Sequence, residues 1–126
     1  MTIIFYFIAL LTAIQNGNTE IVRLLLSHSK IDVNKKMHFV NGKIVKYFKP
    51  ALYFAIETRN MDIINLLLSH KDIDINAPFQ KGKSPLHLAV QNNDIEIVKL
   101  LLTYPNIDVN QICISKQYFD TIFFFS

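Results

Sequence analysis

The chain has 126 residues, a net charge of +3 and a single cysteine. That length suits one domain with a real core, and an apolar half with few Gly and Pro excludes long disorder. A lone Cys113 excludes an internal disulfide framework and a cysteine-built zinc site, and so small a charge is no argument for nucleic acid.

The N-terminal run Met1–Leu11 is apolar but too short to cross a bilayer. A secretory signal would start with positive charge, and no basic residue precedes Arg23. The run reads instead as the entry to a helix with Leu10 and Ala13 in its core; a targeting segment is the alternative. A block then follows from Ala13 to Ser27, ending in Leu24-Leu25-Leu26 and, after a gap, Ile31-Asp32-Val33-Asn34. The same pattern returns from Ala55 to Ser69 with Ile73-Asp74-Ile75-Asn76, and from Ala89 to Thr103 with Ile107-Asp108-Val109-Asn110. The offset from Ala55 to Ala89 is 34 residues, and from Ala13 to Ala55 it is 42, so the chain carries an insertion between its first two units.

That insertion, residues 35–49, reads as a β-hairpin. Met37–Val40 and Lys43–Phe48 flank Asn41-Gly42, the preferred pair for a tight two-residue turn. Each unit reads as two short helices. In the third, Ser84 caps the first helix, Pro85 fits its first turn, and Leu86, Ala89 and Val90 recur at helical spacing. Its second helix has Asp94 as cap and Ile97, Val98, Leu101 and Leu102 on the packing side, with Asn18 and Asn60 as the equivalent caps. Neither helix buries its apolar face alone, so the units are expected to stack in a row with stability shared between neighbours. The units span about 8–34, 50–76 and 84–110, and residues 118–126 read as a partial fourth.

Ser84-Pro85-Leu86-His87-Leu88-Ala89 resembles the ankyrin signature Thr-Pro-Leu-His-x-Ala, and Ile97–Leu102 with Asp108-Val109-Asn110 resemble the family's second helix and following turn. Three aligned copies over residues 8 to 110 make the resemblance specific. It implies an all-α solenoid of about three helix-turn-helix repeats, loops projecting as fingers, and an His87 that hydrogen-bonds within its own turn. The second unit lacks that histidine, and the first lacks both histidine and proline. Between its helices the family uses Gly. Here Gly17 keeps it, Asn93 tolerates a left-handed backbone, and Arg59 does so less freely.

No Ser-His-Asp set, glycine-rich phosphate loop or His-Glu-x-x-His pattern is present, so neither an enzyme nor a cofactor is expected. His28 and His70 recur at the ends of second helices, where the helix dipole favours a cation, and a metal role is the weaker reading. Asp32, Asp74 and Asp108 are repeat-encoded loop residues. Basic charge gathers in the long finger (Lys35, Lys36, Lys43, Lys46, Lys49) and the short one (Lys81, Lys83), which would steer an acidic partner toward that edge. A solvated loop rich in lysine is the bland account.

By the resemblance, the expected function is protein–protein interaction on a concave face. From the fingers the expected contacts are Lys36, His38, Val40, Lys43, Gln80 and Lys81. From the helices they are Gln15, Phe54, Glu57, Thr58, Leu88, Gln91 and Asn92. No small-molecule substrate is expected, nucleic acid and membrane are disfavoured, and a cytoplasmic location fits. The alternatives are a truncated or structural fragment of a longer array, and a secreted or membrane-associated effector using the apolar N-terminus.

Overall fold

The computed structural model describes residues 2–35, 39–40, 43–44 and 49–112. Among the described residues, six helices form three pairs: α1 (Thr2–Gln15) with α2 (Thr19–Leu26), α3 (Ala51–Thr58) with α4 (Met61–Leu68), and α5 (Pro85–Gln91) with α6 (Ile95–Leu102). The first helices pack in one row, α1 on α3 on α5, and α2 packs on α4. Two two-residue strands, β1 (Phe39–Val40) and β2 (Lys43–Ile44), pair antiparallel between the first and second helix pairs, Phe39 opposite Ile44 and Val40 opposite Lys43. The rest of residues 36–48, including the Asn41-Gly42 turn, lies outside the described residues, as does the expected partial fourth unit at 118–126.

Helix starts follow the cap residues. Asn18, Asn60 and Asp94 each accept the backbone N–H three residues on, at 3.1, 3.2 and 3.2 Å. Ser84 Oγ accepts the His87 N–H at 3.2 Å while His87 Nδ1 accepts the Ser84 N–H at 3.0 Å, so two donors at the helix entry are satisfied reciprocally. Second helices end on a hydroxyl that turns back onto a carbonyl: Ser27 to Leu24, Ser69 to Asn65 and Thr103 to Leu100. His28 and His70 follow directly on the end caps of α2 and α4. Their Nδ1 atoms accept the N–H of Lys30 and Asp72, at 3.2 and 3.1 Å, and close the turn.

α1 begins at Thr2, well before residue 8, because the apolar run buries Phe7 together with Leu10. The turn between helices needs a left-handed residue in every pair, filled by Gly17 (φ 69°), Arg59 (φ 59°) and Asn93 (φ 55°). Arg59 adopts that conformation despite its Cβ, a cost of about 1–2 kcal/mol. Its guanidinium reaches the next pair, donating to Asn92 O at 3.3 Å and lying 4.0 Å from the Asp94 carboxylate.

One apolar layer runs through all three pairs, from Leu10 and Ile14 through Ile56, Ile63, Ile64 and Leu67 to Ile97 and Leu101. Polar clamps reinforce the seams. In the recurring Asp-x-Asn, each Asp side chain accepts the N–H of its Asn, at 3.1, 3.0 and 2.9 Å for Asp32, Asp74 and Asp108. That turn holds the Asn where its amide can reach the following pair. Asn34 donates to Asp72 O at 2.5 Å and accepts from Asp74 N at 2.8 Å; Asn76 repeats this with Asn106 O and Asp108 N, both at 2.8 Å.

Burial under the next unit therefore governs the cost of truncation. Leu68→Ala should cost about 3 kcal/mol in urea unfolding, and Leu102→Ala, at the same repeat position, under about 1 kcal/mol. Asn34→Ala should cost about 1–2 kcal/mol through two lost hydrogen bonds. Equal losses at Leu68 and Leu102 would contradict the seam account.

Candidate functional site

The loops that join the helix pairs are tied back to the first helices by a repeated device. Lys49, just before α3, donates to both carboxylate oxygens of Glu57 at 2.7 and 2.6 Å. Lys83, at the same position of the next unit, donates to Gln91 Oε1 at 2.7 Å. In both, the lysine stands eight residues before a residue at the end of a first helix. Gln15 is their counterpart at the end of α1 and is exposed.

Between these tethers lies an aromatic pair. The Phe79 ring packs on Tyr53 with centroids 5.2 Å apart, and Lys49 Nζ sits 5.9 Å from the Phe79 centroid. Phe79 is placed there because it exchanges two backbone hydrogen bonds with Lys83, at 2.9 and 3.0 Å, across a tight loop. Three successive residues of that loop, Gln80, Lys81 and Gly82, have φ of 29°, 56° and 78°. Gln80 and Lys81 are left exposed at its tip. Non-glycine residues at such angles are uncommon and carry strain.

The expected site residues fall into distinct groups. Gln15, Gln80, Lys81 and Gln91 are exposed, and Gln91 is held by Lys83. Phe54 is half-buried and packs on the core, and Glu57 is half-buried under Lys49. Thr58 is exposed, and its hydroxyl turns back to Ala55 O at 2.7 Å. Asn92 ends α5, and its carbonyl takes the Arg59 bond. Leu88 is buried in the core, so its side chain is not presented to a partner. Packing-side Val90 is exposed instead, because no further helix pair covers that face of α5 among the described residues. Val40 and Lys43 are paired in the two strands, while Lys36 and His38 lie outside the described residues.

Tyr53, Phe79 and the tether role of Lys49 and Lys83 went unmarked in the sequence. The available signal was the lysine followed eight residues later by Glu or Gln, twice, at the 34-residue period. On the other helix row, a groove of about 320 Å³ runs between α2 and α4, lined by Thr19, Arg23, Asp62, Asn65, Leu66 and Ser69. No helix among the described residues is long and apolar enough to cross a membrane.

No curated protein matches the chain. A family model for ankyrin repeats, in three copies, matches residues 5–78 and 35–113, which together take in every helix of the three pairs except the first turn of α1. The signature at Ser84–Ala89, the reciprocal Ser84–His87 cap it builds and this match agree, and the chain belongs to the ankyrin repeat family.

Proposed function

We propose a protein-binding role, the general one of ankyrin repeats, which are typically non-enzymatic. We infer that this chain binds its protein partner along the loop bases and the exposed ends of the first helices. The observation that supports this reading best is the repeated tether, Lys49 to Glu57 and Lys83 to Gln91. It fixes each loop against a helix end before a partner arrives, so less side-chain and loop entropy is lost on association. The contacting side chains are Gln15, Gln80, Lys81 and Gln91, with Phe54, Thr58 and Asn92 at the margin. Between the first two units, the paired strands Phe39–Val40 and Lys43–Ile44 contain the expected contacts Val40 and Lys43, and Lys36 and His38 precede them in the sequence.

The charge balance along this edge refines the partner's chemistry. Lys49 is matched by Glu57, and Lys83 is spent on a neutral amide. Net positive charge then rests on Lys83, on exposed Lys81 and on the remaining lysines of the longer finger. An acidic protein surface is the complement, drawn in at low ionic strength and released as salt screens the field.

Replacing Lys36, Lys43 and Lys81 together by Glu tests this directly. Proteins captured from the native cell extract by the tagged intact chain are quantified by mass spectrometry, at low and high salt. The variant should retain its helical circular dichroism and lose about tenfold or more of the capture at low salt, a loss of roughly 1.4 kcal/mol. High salt should narrow the gap. Capture that does not change between the two chains would remove the basic-edge reading.

A further inference from the structure

Repeat positions that are buried inside the stack come to the surface at its two ends. Val109 is 61% exposed, whereas its counterparts Val33 and Ile75 are 1% and 2% exposed. Leu102 and Val90 are exposed on the same face, and their counterparts Leu68 and Ile56 are buried. At the opposite end Ile21 is 45% exposed, against 0% for Ile63 and Ile97. Leu24 is also exposed there, while its counterparts Leu66 and Leu100 pack on the core. Each end thus presents one half of the apolar seam that the chain forms internally.

The polar groups are split in the same way. Asn110 is held by Asp108 in the turn that Asn34 and Asn76 occupy, yet its amide has no hydrogen-bond partner among the described residues. In the first unit the Lys30 carbonyl and the Asp32 N–H stand where Asp72 and Asp74, or Asn106 and Asp108, receive the clamp. Among the described residues neither has a partner. Among the described residues, then, an amide needing one acceptor and one donor is free at one end, and an acceptor and donor at the same spacing are free at the other.

We propose that copies of this chain associate head to tail, the third unit of one stacking on the first unit of the next. Asn110 of one copy clamps Lys30 O and Asp32 N–H of the other, and Val90, Leu102 and Val109 cover Ile21 and Leu24. A second copy is the occupant because the interface continues a seam already made twice within the chain, with matching apolar and hydrogen-bonding positions. The contact is heterologous: the surface used on one copy differs from that used on its neighbour, so each dimer keeps one open face at each end and growth continues. The surfaces involved are separate from the loop edge inferred to bind a partner, so either reading can fail without the other.

Light scattering coupled to size exclusion, from low micromolar to submillimolar concentration, tests this with the intact chain. Val109→Lys blocks one end and Leu24→Lys the other; both positions are exposed, and circular dichroism confirms folding. The wild-type mass should climb with concentration beyond two chains. Each variant alone should stay monomeric, and an equimolar mixture should yield a species of two chains and stop there. Asn110→Ala should weaken association about tenfold. The proposal is overturned if the wild type stays monomeric throughout, if either variant alone still self-associates, or if association appears only after residues 113–126 are removed, which would place that segment on the face instead.

Discussion

The seam between consecutive helix pairs is the interaction on which everything else rests. Helices of seven or eight residues, as α2 to α6 are, have little stability of their own. They persist because Ile56, Ile63 and Leu67 of the middle pair lie between the apolar faces of both neighbours. The apolar layer supplies most of the stabilisation and has no direction. The asparagine clamps supply direction: an amide reads one carbonyl and one N–H at a fixed spacing, and sets the register in which each pair meets the next.

How much of this was legible in the sequence depended on how local the cause was. Caps at Asn18, Asn60, Ser84 and Asp94 were readable because the acceptor and its donor lie three residues apart. The helix pairs were readable from the recurring triple leucines. Leu88 and Val90 were not, because helical spacing names a face but not which neighbour covers it; no further helix pair covers α5 among the described residues, and the two residues exchange expected roles. The bonding of Asn34 and Asn76 was not legible, since their partners lie about one repeat away in sequence. Arg59 broke the local rule for a left-handed turn, and its compensation, a reach to Asn92 and Asp94, is again tertiary.

The loop edge shows the same division. Counting lysines suggested a uniformly basic rim, but the structure commits two of them inward, Lys49 onto Glu57 and over Phe79, and Lys83 onto Gln91. Their role at the edge is positional before it is electrostatic. The strained tip at Gln80 and Lys81 is held by the Phe79–Lys83 backbone pair, and Phe79 in turn is held by Tyr53. Rigid support beneath an exposed tip is what allows a short loop to present side chains in one arrangement.

The anchoring of both ends of the first inter-unit loop has a practical corollary. Asn34 is locked to the second pair on one side of residues 35–48, and Lys49 is locked to α3 on the other. The span between these anchors is thus decided by folded structure and not by the loop's own length. Closure entropy rises only slowly as such a segment grows, by about 0.6 kcal/mol per doubling. The position is therefore a natural graft point, where a foreign recognition peptide can be spliced in while the helical scaffold keeps its shape.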